Sequence, residues 1–219
     1  MKQLREFITG VLMLLFAFAA QAQNSQAEFS KILQTYYKDK DKELVQKTIN
    51  FVNDPEADFQ NIKPIFTGFF GALFYQDAAI KKDFQQKLQS FTNSEVRELF
   101  VYLIDHNGPK LYTDTEVSPT QNDMYWSSYF ATGDIQYVDK IIANAALSEN
   151  RTDLGLFLTG ASAKWSLCSN ATQDDGVKNH LAKQKDSPLA NEILTTDSET
   201  LKAQIINIIK EQRKKGIWN

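Results

Sequence analysis

Along most of the chain, apolar residues recur at intervals of three and four, the spacing that lines one face of an α-helix. Phe29, Ile32, Leu33, Tyr36 and Tyr37 open the pattern, the charged run Lys38 to Lys42 interrupts it, and Leu44, Val45, Thr48, Ile49 and Val52 resume it. Glu28 to Asn53 therefore reads as a helical hairpin. Asp54-Pro55 ends it, because the residue before a proline is pushed out of the helical region. The next helix is expected to open near Ile62, with Pro64 in its first turn, where no intrahelical donor is needed. Phe66, Phe69, Phe70, Leu73 and Phe74 make that helix apolar almost all round, which predicts burial. Gly68, Gly71 and Ala72 share one side of it. Close approach by another backbone there would offset the cost of a helical glycine, about 1 kcal/mol.

The pattern continues to the end of the chain. Ile80, Phe84, Leu88 and Phe91 form a narrower stripe, and Thr92-Asn93-Ser94-Glu95 reads as a capping box with Thr92 as N-cap. Val96, Leu99, Phe100, Leu103 and Ile104 share the face that follows, until Gly108-Pro109. Lys110 to Val117 shows no helical spacing, so Tyr112, Asp114 and Glu116 fall in a loop. Ser118-Pro119-Thr120-Gln121 is a helix start with serine as N-cap and proline at the first helical position. Met124, Tyr125, Trp126, Tyr129 and Phe130 then crowd one helix. At Gly133-Asp134 glycine can take the left-handed conformation that ends a helix, and the aspartate can cap the next.

Ile135, Val138, Ile141, Ile142 and Ala145 give an amphipathic helix, Asn150 to Asp153 a turn, and Leu154 to about Thr172 a nearly all-apolar helix. On that helix Phe157, Ala161, Trp165 and Cys168 make a ridge, while Gly155, Gly160, Ala161 and Ala163 permit close packing. A polar helix (Val177 to Lys185), a brief turn at Ser187-Pro188 and a Thr196-capped last helix burying Leu201, Ile205, Ile208 and Ile209 follow. Gly216 has the position of a C-terminal cap, with Ile217 or Trp218 folded back. Lys210, Arg213, Lys214 and Lys215 suit the negative end of the helix macrodipole.

No strand signal survives this reading, so the expected class is all-α: an irregular stack of antiparallel helical hairpins, of tetratricopeptide-like or helical-bundle type. Lys2 and Arg5, the apolar run Ile8 to Ala20 and the small-x-small end Ala20-Gln21-Ala22 have the features of a secretory signal peptide over residues 1–22, cleaved after Ala22. That leaves residues 23–219 as a single helical domain, its polar start (residues 23–26) expected to be disordered, in a periplasmic or secreted protein with no stable membrane insertion.

The whole chain carries 24 basic and 27 acidic side chains, a formal charge of −3, and loss of the leader makes it slightly more negative. With no basic block it offers little to a phosphate backbone, and nucleic acid is not expected as a partner. Cys168 is the single cysteine, which excludes an intrachain disulfide and favours a buried, inert thiol. The 15 Phe, 8 Tyr and 3 Trp supply large side chains for a core that must be held by packing alone.

Contiguous catalytic, phosphate-binding and dinucleotide motifs are missing, no cofactor is implied, and the two histidines, His106 and His180, exclude a histidine-rich metal site. His106, at a predicted helix end, suits a carbonyl cap. The polar residues of the apolar helix stand out. Lys164, if covered, needs a partner, and Asp134 or Asp123 are the candidates. A candidate ligand or partner site follows: Trp126, Tyr137 and Trp165 as walls, with Asp134, Lys164 and Asn170 as polar contacts. Asn170-Ala171-Thr172 also has the form of an N-glycosylation sequon.

The segments YFATGDIQYVDKII and GASAKWSLCSNATQ resemble small exported helical proteins of Gram-negative bacteria that share a F-F-A-T-G-D joint and an A-K-W-S-L-x-S-N-A helix. The resemblance implies bacterial export and a helical fold, and carries no activity. The function expected is therefore an envelope protein presenting a groove to a protein or peptide partner. The alternatives are an envelope hydrolase with its site near Asp134 and Lys164, and an immunity or inhibitor protein.

Overall fold

The computed structural model describes residues 22–218 except Glu56, Asp114 and Lys185. The expected leader, residues 1–21 together with its last residue Ala22 at the edge, and the loop residue Asp114 thus lie outside or at the limit of what is described. Among the described residues there are eleven α-helices, three short 3-10 turns and no strand. In chain order the helices are α1 (Ala22–Asp39), α2 (Leu44–Val52), α3 (Phe59–Gln76), α4 (Ala78–Gln86), α5 (Ser94–Asp105) and α6 (Pro119–Thr132). Then come α7 (Gln136–Ala145), α8 (Leu154–Ala171), α9 (Asp175–Ala182), α10 (Pro188–Thr195) and α11 (Ser198–Lys214). Residues 23–26, expected to be disordered, are helical, because α1 extends two turns ahead of its first apolar anchor, Phe29.

The helix starts follow from side-chain oxygens placed on otherwise unpaired backbone N–H groups. Asp58, Asp77, Asp153, Asp174 and Ser187 accept such bonds at the heads of α3, α4, α8, α9 and α10. Asp58 moves the start of α3 to Phe59, so Pro64 sits in the second turn and not in the first as the spacing suggested. Ser187-Pro188 likewise opens an eight-residue helix where only a brief turn was expected. The two expected threonine caps are each displaced by one residue. Asn93 accepts from the Glu95 and Val96 N–H groups, and Asp197 from that of Thr200. The threonines serve elsewhere: Thr92 donates to Asn53, and the Thr196 carbonyl accepts the Cys168 thiol proton.

The described chain divides into two compact units. One comprises residues 22–115 with Asp123–Asp134. Its centre is a set of phenylalanines, Phe66, Phe69, Phe70, Phe74, Phe84, Phe91 and Phe100, each no more than 1% exposed. The Phe100 ring meets those of Phe91 at 4.7 Å, Phe70 at 4.9 Å, Phe84 at 5.0 Å, and Phe66 and Phe74 at 6.2 Å between centroids. Pairs at such separations add about 0.5–1.5 kcal/mol each beyond the area they bury. Gly68 carries the expected close approach: a Cβ there would lie 2.3 Å from the Met124 carbonyl oxygen of α6.

The other unit comprises residues 116–122 and 135–218. Its axis is α8, buried without interruption from Phe157 to Cys168. Gly160 lets the 3-10 turn Ala146–Glu149 cross it, and a Cβ would come within 1.9 Å of the Ser148 nitrogen. At the C-terminus Gly216, at φ +70°, reverses the chain. The N–H groups of Ile217 and Trp218 return to the Gln212 carbonyl, and Trp218, rather than Ile217, folds back onto Phe157 at 4.7 Å.

Gly160→Ala and Gly68→Ala each force a methyl group into neighbouring backbone. Each is expected to cost about 3 kcal/mol, the upper part of the usual overpacking range. Gly216→Ala, strained at positive φ but with open space around it, should cost about 1 kcal/mol. Urea unfolding of the three variants measures the order.

Candidate functional site

Of the residues singled out from the sequence, helix α6 carries Trp126, and most of this helix is buried. Gln121, Asn122, Met124 to Ala131 are all buried. A helix sunk this way must pair its polar side chains internally. In the unit of residues 116–122 and 135–218, Asn122 is 2% exposed and donates to the Thr159 carbonyl (2.9 Å) and the Ser162 hydroxyl (3.1 Å) of α8. Its own carbonyl oxygen accepts from Asn144 of α7 at 2.8 Å. In the other unit Ser128, fully buried, donates to the Gly68 carbonyl at 2.8 Å and is hydrogen-bonded to the Tyr112 hydroxyl. The Tyr112 ring stacks on Tyr125 at 4.7 Å, so this loop tyrosine is an anchor for α6.

The six residues singled out from the sequence are divided between the two units: Trp126 and Asp134 in one, Tyr137, Lys164, Trp165 and Asn170 in the other. Trp126 and Trp165 are 2% and 4% exposed, Asp134 is exposed, and Tyr137 and Asn170 are half-buried. Gly133 has the expected left-handed conformation, φ +75°, and its N–H returns to the Tyr129 carbonyl at 2.7 Å. The cap position of α7 is Ile135, one residue beyond the aspartate. Asn170 donates to the Ser166 carbonyl of its own helix.

Lys164 is buried and does have a carboxylate partner, but that partner is Glu192 of α10, at 2.6 Å, in place of either aspartate expected. The spacing of the sequence could not reveal this, because α10 itself was read as a turn. A second pair joins helices whose spacing does not reveal that they meet: His180 of α9 lies 2.6 Å from Asp139 of α7. Cys168 is buried and donates to the Thr196 carbonyl, and burial raises its thiol pKa.

No family model, curated protein or solved structure matches the chain. Among the described residues no three His, Cys, Asp or Glu side chains gather as a metal site requires, and no helix is long and apolar enough to cross a membrane.

Asp123 is the carboxylate most altered by its surroundings. It retains a narrow opening to solvent, yet protein surrounds it, and desolvation alone pushes its pKa up to about 7. Its spacing on the aromatic helix is that of an exposed residue, so only the structure reveals this environment.

The exposed aromatic side chains lie elsewhere. Tyr75, at the end of α3, is 65% exposed and its ring rests on Gly108, where a Cβ would come within 2.5 Å of it. Two residues before that glycine, His106 stacks on Tyr102 at 4.5 Å and bonds the Tyr102 carbonyl through Nδ1, the carbonyl cap its position implied. Tyr102 and its neighbour Val101 are 49% and 46% exposed.

Two outcomes test these electrostatics. The unfolded chain releases the Asp123 proton near the ordinary carboxyl value of about 3.9, the folded chain near 7, so between those values the folded state holds the extra proton and stability falls as pH rises. Asp123→Asn should therefore unfold at the same denaturant concentration as wild type near pH 4 and at a higher one above pH 7, by at most about 4 kcal/mol. For the Lys164–Glu192 pair the expected effect is asymmetric. Glu192→Ala strands a buried ammonium and should cost about 1–3 kcal/mol, whereas Lys164→Met leaves a carboxylate that water can reach and should cost less.

Proposed function

We propose that the chain is an exported helical binding protein of the bacterial envelope and that it engages a protein or peptide partner. The supporting observation is the exposed aromatic face of α5 and the end of α3: Tyr75, Val101 and Tyr102, beside His106. In a chain that buries its phenylalanines so completely, large apolar side chains left in solvent are the informative exceptions.

These rings are also held in place before any partner arrives. Tyr75 is laid on Gly108 and Tyr102 is paired with His106, so less side-chain freedom remains to be lost on binding. Tyrosine contributes a large contact area with few rotatable bonds and a hydroxyl for orientation, which is why it is favoured at protein interfaces. The leader-like residues 1–22 and the resemblance to exported helical proteins support the envelope as the compartment.

Replacing Tyr102 by a photo-crosslinking phenylalanine derivative in cells that produce the protein tests this reading. Irradiation should give a discrete protein adduct from position 102 and none from Gln204, an exposed position on α11. Absence of any adduct from positions 75, 101 and 102 would overturn it.

A further inference from the structure

Resting on that reading, we propose that the partner segment on the α5 face is a basic amphipathic helix. Glu98, Val101, Tyr102 and Asp105 stand at positions i, i+3, i+4 and i+7 of α5, and all four are exposed. That spacing puts them in one stripe along the helix, two apolar residues in the middle and a carboxylate at each end. Neither Glu98 nor Asp105 has an ion-pair partner among the described residues.

The other charges of α5 itself leave the sign of the stripe unchanged. Arg97, beside Glu98 in the chain, is directed to the Phe91 carbonyl, which it holds through Nε at 3.1 Å and a terminal nitrogen at 2.7 Å. Glu95, one turn before Glu98, is a further exposed carboxylate and accepts from Gln60. Lys110 lies beyond the Gly108 turn, outside α5. The face is therefore negative with an apolar centre, and its complement is positive with an apolar centre.

The separation of the carboxylates selects the conformation of the occupant. Seven residues of helix rise about 10 Å. A facing helix presents cations at that separation from positions seven apart, with apolar residues three and four along between them. An extended strand presents same-face side chains about 7 Å or about 14 Å apart, on either side of the separation required. A helix lying along α5 thus satisfies both charges and covers Val101 and Tyr102 at once.

The full chain is titrated with a labelled synthetic helix of about 18 residues carrying two lysines seven apart around leucines. Two further peptides are compared: the same helix with glutamates for lysines, and an alternating Lys/Leu strand former. The basic helix should bind, more weakly as salt is raised. The double variant Glu98→Lys, Asp105→Lys should weaken it about tenfold, as should Tyr102→Ser, with circular dichroism unchanged. Equal binding of the acidic helix or of the strand former, no binding by the basic helix, or indifference to the double charge reversal would overturn the proposal. If Tyr102 still yields a cellular adduct after such a failure, the partner chemistry is wrong and the binding reading stands. Loss of both removes the reading itself.

Discussion

A helix buried over most of its length can keep a polar side chain only where the surroundings complete its hydrogen bonds, and α6 meets that demand twice. Asn122 is held by Thr159, Ser162 and Asn144, and Ser128 by Gly68 and Tyr112. Each set is directional, so it orients its own part of α6 against the neighbours it has within that unit. The phenylalanine packing of α3, α4 and α5 is less particular. Phe100 and its neighbouring rings would tolerate small slides, whereas an amide bonded to one carbonyl and one hydroxyl does not. The glycine at position 68 belongs to the same constraint, since the Ser128 hydroxyl reaches its carbonyl only where the two backbones pass closely.

How much of this could be read from residues alone depends on the kind of signal. The three-and-four spacing located the buried faces of α2, α3, α5, α7 and α8, because a stripe of apolar residues has few alternatives in water. Helix starts were harder, since Thr-Asn-Ser-Glu and Thr-Asp-Ser-Glu each offer two competing caps. The longer side chain of Asn93 caps where the Thr92 hydroxyl is engaged by Asn53. Such engagement depends on residues far away in the chain. Asn53 meets Thr92 and Cys168 meets Thr196 only after folding.

The candidate site illustrates the same limit. Aromatic density around Trp126 and around Trp165 does not distinguish a wall open to solvent from a packed interior, and both indoles are buried. The need of Lys164 for a carboxylate was legible, while the identity of that carboxylate was not, because it sits on a helix whose pattern was too short to read. Tyr75 belonged to a continuous apolar run and only its place at the last turn of α3 exposes it. The α5 stripe was open to inspection in the spacing Glu98, Val101, Tyr102, Asp105. The larger apolar residues of α5, Leu99, Phe100 and Leu103, lie on its buried face.

The environment of Cys168 keeps its thiol unreactive in the folded chain. Its sulfur is enclosed, its proton is shared with the Thr196 carbonyl, and its conversion to thiolate is disfavoured by burial. Oxidants and disulfide-exchange catalysts act on the thiolate, so the folded chain passes them without forming mixed disulfides. The same atom becomes reactive when α8 parts from the head of α11, which makes its alkylation rate a built-in clock for the opening of that end of the molecule.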